Sequence, residues 1–471
     1  MKLYAAPLDF REIAEEFGVP TEFSPQLHEE AARAQDRYAD QRVDARSVPL
    51  VTIDPAGSMD LDQAVFIEAN GDGYRVLYAI ADVAAFVEPG SGIHAESLRR
   101  GQTVYLPDEP ARLHPEELSE NRASLLPGVD RPAVLWTFEL DAAGEVVGAH
   151  VERAVVHSVA RLDYDGVQAD LDADCMHPSI ALLPKVGQLR EASSLRRHAI
   201  NLRLPAVRVV EVHPGQGESA GQYELMIEPR HAVMDYNSEI SLLTGMVAGR
   251  MMESAGVGFL RTLRPAGPEA VETFRTEARA LGFELDDGED VGAFLTCIDA
   301  DTPRGMAVMR EAQRLLRGAG YVDLEHKEPE VHAGIGGYYS HVTAPLRRLI
   351  DRYATEVCLA LCAGTDVPEW VRADAEQVVS TMGKTSQLAN SVDKACLNLT
   401  EATVLRPWLG QNFHGVILNT DEQRDQARVF VVDPPVMAGC LGQPEEATET
   451  MLSLIRADVD TREVAFAWPA D

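Results

Sequence analysis

The chain has 471 residues, 45% hydrophobic and 25% charged. Its length predicts about three domains, and its composition excludes a fibrous, low-complexity or membrane-spanning protein. The net charge of −33 speaks against a broadly basic nucleic-acid surface, but leaves open a locally positive cleft or a carboxylate-held cation.

Residues 1–45 read as helical. Phe10, Ile13, Ala14 and Phe17 recur at helical spacing up to Gly18 and Pro20, and a second helix is expected after a Ser24 cap with Pro25 at its first position. Helix, glycine-containing turn and helix also outline a helix-turn-helix. From about residue 46 strands are expected. A hairpin turns at Gly71–Gly73 and a second turns between Asp141 and Gly144. Helical periods follow at 186–201, 237–253, 270–281, 304–317, 345–362 and 369–399, with one strand interposed at 223–229. Strands segregated from helices give an α+β fold. After Pro407, four short strands spell a small OB/S1-like β-barrel. The six cysteines include no C-x-x-C pair, so buried thiols are expected rather than a zinc or redox motif. No long apolar core or small-residue cleavage site opens the chain, and a cytoplasmic protein without membrane attachment is expected.

Two stretches carry chemistry. In the first, a strand ends at Asp54, Pro55 and Gly57 bend the chain, and Asp60 and Asp62 open the next strand on one face. Crowded carboxylates repel unless a cation holds them, and an oxygen-only set favours Mg²⁺ or Mn²⁺ over Zn²⁺. These aspartates also suit a plain role as turn and cap residues. In the second, Gly334–Ser340 leads through His341 and Thr343 to Pro345, Arg347, Arg348 and Asp351. A helix capped by Thr343 puts both arginines in its first turn, against the helix dipole, where a phosphate site would justify them. Pairing of an arginine with Asp351 or a core glutamate is the alternative.

Together the two stretches resemble the RNase II/RNB family of 3′→5′ exoribonucleases. Thr52-Ile53-Asp54, Asp60, Asp62 and Ala64 match its first signature, and His341, Thr343, Pro345, Arg347, Arg348 and Asp351 match its second. Val104–Pro107, Pro115–Ser119, Ala160–Tyr164 and Ile227–Ile240 fall where further family motifs stand. The resemblance implies an RNB-like catalytic domain at 46–400 and an S1-like barrel at 405–471, with 1–45 replacing the family's cold-shock barrels. It implies processive, Mg²⁺-dependent release of nucleoside 5′-monophosphates from single-stranded RNA by a monomer. Asp54, Asp60, Asp62 and Gln63 would hold metal, and Asp54, Asp60, Asp62 and Arg347 would carry the chemistry. Tyr105, Tyr164, Glu239, Arg348 and Thr343 would contact substrate. A wider channel mouth would let the enzyme approach RNA with 3′ tails close to a duplex.

The sequence departs from the pattern where Gln63 replaces a fourth aspartate, and where Leu349 and Asn390 replace tyrosine and glutamate. Gln63 keeps alive a second reading, an RNA-binding or regulatory protein with a disabled metal site. A metal hydrolase acting on DNA or small nucleotides is the third.

Overall fold

The computed structural model describes residues 6–202, 206–212, 221–228, 230–286, 288–421 and 424–469. Its centre is a ring of five long strands: β1 (Leu50–Asp54), β2 (Gln63–Asn70), β3 (Gly73–Ala81), β4 (Asp130–Leu140) and β5 (Val146–Asp163). Neighbours pair in that order. β5 closes the ring by changing partner along its length. Val146–His157 runs antiparallel to β4, and Ser158–Asp163 runs parallel to β1.

Strand alternation buries this sheet on both faces. Val51, Ile53, Val65, Tyr78, Ile80, Trp136 and Phe138 pack against the helices Ala232–Ala255 and Leu349–Ala363. Leu50, Ala64, Ala79, Ala81, Ala133 and Leu135, one residue out of step, pack beneath Ile93, Leu118 and Leu125. Each fully buried large side chain contributes about 1.5–3 kcal/mol. Both expected hairpins form. Gly71 takes the positive φ in the two-residue turn, and a β-carbon on Gly73 would strike the Leu140 carbonyl oxygen at 2.0 Å. Gly144 takes the positive φ in the second turn, where the Asp141 carboxylate accepts two backbone N–H groups.

The N-terminal segment differs from an all-helical reading. Helices Arg11–Glu16 and Pro25–Arg33 form, but Ala6–Pro7 is a strand paired with Gln222–Tyr223, and Val43–Asp44 is a strand beside β5. Phe10, Ile13 and Ala14 are buried against Val104, Tyr223, Val392 and Cys396. The first helix therefore clamps distant parts of the chain instead of offering a recognition face. Helices at Gly92–Arg100, Tyr164–Asp172 and Val291–Thr296 escape periodicity because each is only six to nine residues long.

The C-terminal barrel closes with five strands. Four match the sequence reading. The fifth, Pro435–Leu441, hides behind a Pro-Pro dipeptide, yet Pro435 opens the strand, where proline is tolerated. Phe413, Ile417, Val429, Val431, Leu452, Leu454 and Phe466 fill the interior.

Candidate active site

Asp54 ends β1, and the loop after it is pinned rather than free. The Ser124 hydroxyl accepts from the Leu61 N–H at 3.0 Å and donates to the Met59 carbonyl at 2.6 Å, while the Leu125 N–H donates to the Leu61 carbonyl at 3.0 Å. Leu61 is buried in the lower core, which sends its neighbours Asp60 and Asp62 to the other side. Asp62 is 5% exposed, and its Oδ1 accepts the Leu346 N–H at 2.8 Å. Its Oδ2 faces Arg347 Nε at 3.7 Å. Burial raises all three carboxyls. Asp54 is pushed up to about 7 by burial and then by the charge of Asp60, Asp62 rises well above the carboxylate range, and Asp60 rises as well. Asp54 Oδ2 is buried without a hydrogen bond.

The arginine stretch corrects the expected helix. The helix starts at Leu349, and Arg348 before it is extended. Residues 344–348 close one turn of their own, with the Arg347 and Arg348 N–H groups on the Ala344 carbonyl, and Arg348 is then drawn into an extended bridge with Gln102, where the Leu349 N–H donates to the Gly101 carbonyl. The Ala344 N–H goes to Asp351, the Leu346 N–H goes to Asp62, and the Arg347 carbonyl accepts from Thr103 N–H. Thr343 is thus not a helix cap. The two arginines lie outside the first turn, and the conflict with the dipole disappears. They also divide the work. Arg348 is locked in a two-pronged pair with the fully buried Asp351, at 3.0 and 2.9 Å. The pair uses Nε and Nη2 and anchors Arg348 to the start of the helix. Arg347 keeps its side chain 41% exposed and, among the described residues, has Asp62 as its only ion-pair partner.

Gln63 is placed beside the carboxylates but is committed elsewhere. Its amide donates to the Thr343 carbonyl at 2.8 Å, and its Oε1 accepts from the Tyr78 and Ser241 hydroxyls. These contacts make Gln63 a bolt between β2, the arginine loop and the Ala232–Ala255 helix. Tyr105 is 52% exposed, with its hydroxyl 3.5 Å from Asp60. Tyr164 accepts from Asn237 Nδ2 at 3.2 Å, within electrostatic reach of Asp54 and Arg347. Glu239 is not brought to the cluster. On the Ala232–Ala255 helix it lies half a turn from Asn237 and Ser241, which do face the site. Its charged neighbours are Arg190, Arg197, Glu191 and Asp235. Asn237 and Ser241, four apart on one helix face, and Tyr78, in register with β2, are site residues whose spacing was visible in the sequence. Ser124 had no such signal.

Among the described residues no three carboxylates, imidazoles or thiols converge as a ready metal cage. The donor set nevertheless fits a hard divalent cation. It offers three desolvated oxygen-only carboxylates, one orphaned buried oxygen, and a single half-exposed arginine against them.

The RNB domain model matches residues 42–361, and the RNase II-type exonuclease C-terminal S1 domain model matches 411–468. Ribonuclease R of Vibrio cholerae is 26% identical over 433 residues, covering 85% of this chain and 51% of that protein. Ribonuclease R of Escherichia coli is 30% identical over 334 residues, covering 66% and 39%. The chain thus spans about half or less of these relatives' length. Mycoplasma genitalium RNase R in complex with ribose-methylated single-stranded RNA superposes with a TM-score of 0.86 at 17% identity, covering 97% of this chain and 77% of that one. Yeast Ssd1, described as a pseudonuclease, superposes at 0.72 with 15% identity, covering 95% and 58%.

Proposed function

The chain belongs to the RNB family, and from that premise we propose that it is a 3′→5′ exoribonuclease that hydrolyses single-stranded RNA processively to nucleoside 5′-monophosphates. One observation carries this reading: Asp54, Asp60 and Asp62 are all desolvated within the field of Arg347, whose side chain has no ion-pair partner but Asp62 among the described residues.

A bound Mg²⁺ or Mn²⁺ supplies a water nucleophile at neutral pH and neutralises charge on the departing 3′-oxygen. Asp54, Asp60 and Asp62 are the residues to hold it. Asp62 fixes the Leu346 amide and thereby the loop that aims Arg347. Arg347, whose side chain donates no hydrogen bond among the described residues, meets the charge that develops on the transferring phosphoryl group. Tyr105 offers an exposed ring to the terminal bases, a contact worth about 1–3 kcal/mol per base. Tyr164 lines the same approach. The relatives' RNA-bound forms, with single-stranded and double-stranded RNA, support RNA as partner, including tails close to a duplex. We assign residues 46–400 to catalysis and 405–471 to the S1-like barrel, with 1–45 bracing the two, in a monomer.

Gln63 favours a second reading. A nuclease and a pseudonuclease share this fold, and Gln63 is engaged in structure where the family pattern has a carboxylate, so an RNA-binding protein without turnover is the alternative. The test is release of nucleoside 5′-monophosphates from matched RNA and DNA strands. Monophosphates from RNA alone support the proposal. RNA bound but uncut under Mg²⁺ and Mn²⁺ favours the alternative, and cleavage of DNA favours a different hydrolase.

A further inference from the structure

Tyr105 and Arg347 take separate tasks on RNA, yet one short hairpin carries the first and grips the loop of the second. The chain leaves the Gly92–Arg100 helix through Gly101, where φ is +69° and a β-carbon would meet Thr385 Oγ1 at 2.6 Å. The Gln102 amide donates to the Thr385 carbonyl at 3.3 Å. The root of the hairpin is thus seated on the long helix Glu369–Leu405. Its two arms meet at Val104 and Ala111, which exchange N–H to carbonyl bonds at 3.0 and 2.8 Å.

Thr103 is where the two arms and the arginine loop join. It is 8% exposed. Its N–H donates to the Arg347 carbonyl at 2.9 Å, and its hydroxyl oxygen accepts from the Leu113 N–H at 3.0 Å. Beside Leu113, the ring of the buried His114 faces the Pro345 carbonyl. One arm therefore holds the loop at Arg347 and the other holds it at Pro345. Tyr105 presents its exposed ring two residues along from Thr103, with its hydroxyl 3.5 Å from Asp60. Two residues of extended chain span roughly 7 Å. Without the Thr103 hydroxyl, the buried Leu113 N–H loses its acceptor, and a buried donor left unpaired is costly enough to part the arms. The Arg347 carbonyl then moves with the arm that holds it.

We propose that Thr103 is a positioning residue for RNA hydrolysis: its hydroxyl locks the arms together, so that the arm bearing Tyr105 and the loop bearing Arg347 form one rigid unit. The inference rests on the exonuclease reading above. Seating the terminal base on Tyr105 and aiming the Arg347 guanidinium become a single event, in which a misplacement of about 1 Å costs on the order of 10²-fold in rate.

The test is release of nucleoside 5′-monophosphates from oligoadenylate by the full chain. Thr103→Val keeps the shape and removes the hydroxyl. Its kcat should fall about 10-fold to 100-fold while KM stays within about twofold. Thr103→Ser restores the hydroxyl and should bring kcat back to within about threefold of wild type. A second measurement needs no Thr103 variant to fold: hydrogen exchange in EDTA at saturating oligoadenylate, read by mass spectrometry. RNA should slow exchange in 101–114 and 343–349 together, and Tyr105→Ala should abolish both effects. Thr103→Val with wild-type kcat overturns the proposal and leaves the exonuclease reading standing. So does a loss confined to KM, a loss that Thr103→Ser fails to restore, or protection of 343–349 that survives Tyr105→Ala. Wild type that releases no nucleotide overturns both.

Discussion

The charge cluster around Asp82 and the one around Asp62 are built on opposite principles. In one, Arg42 pairs with Asp36 and with Asp82 at 2.8 Å, while Arg153 joins Asp82 at 3.1 Å, reaches Glu356, and stacks 3.6 Å over the Tyr38 ring. Arg42 also donates to the Ala133 and Ala154 carbonyls. Each of these charges has a partner. In the other, three carboxylates lie in the field of one arginine that is half in solvent and comes to 3.7 Å from Asp62. A desolvated charge is tolerable when paired and costly when not. The first cluster ties residues 36–42 to the sheet and the Leu349–Ala363 helix. The second leaves its carboxyls raised by burial, with one arginine among them.

The largest effect expected from this contrast is at Asp62. Asp62→Asn keeps the acceptor for Leu346 but removes a buried carboxylate, so turnover should fall on the order of 10³-fold or more, with thermal stability equal to wild type or higher. Steady-state kinetics and a melting curve of the same preparation check both halves. Arg153→Met should do the reverse. It strands Glu356, leaves Asp82 with Arg42 alone, and should cost about 3–5 kcal/mol in urea unfolding, with kcat of the folded enzyme unchanged.

The arginine loop should show a pH signature. His114 is fully buried, the Pro345 carbonyl faces its ring, and burial drops its pKa from 6.5 to about 3. The unfolded chain therefore binds a proton in that window that the folded chain does not. The neutral ring's contribution is complete above pH 6.5 and drains away as pH falls towards 3. Stability of wild type relative to His114→Gln, measured by denaturant titration at several pH values, should decline over that window and be flat above it.

Gln63→Asp removes the donor to Thr343 and should cost about 1–3 kcal/mol in stability without raising activity. A gain of activity in that variant would turn the bolt into a lost metal ligand. The smallest effect is at the rim. Tyr105→Ala should weaken single-stranded RNA binding by about 1–3 kcal/mol, read by anisotropy, with the fold untouched.

Much of this contrast was legible in sequence. Alternation in 63–81 placed the sheet, and Asp60 and Asp62 share a face because Leu61 is buried opposite them. What escaped was set by tertiary hydrogen bonds. The start of the 349–363 helix is fixed by the bridge between Arg348 and Gln102, so Thr343, Pro345 and both arginines fell outside a helix that local signals began at 345. Which arginine pairs with Asp351 was undecidable from spacing. The chosen partner is Arg348, three residues away, not Arg347 at four. Glu239 was placed by its position in a motif, whereas helix phase gives the site Asn237 and Ser241 instead.

The central claim, that an unbalanced aspartate cluster with Gln63 in place of a carboxylate still turns over RNA, is tested most directly on 5′-labelled single-stranded RNA. Wild type, Asp62→Asn and Gln63→Asp are incubated with Mg²⁺, Mn²⁺ or EDTA and resolved on a sequencing gel. The account predicts a descending ladder for wild type that EDTA or Asp62→Asn abolishes. Intact RNA with wild type under every metal, and a ladder only with Gln63→Asp, would contradict it.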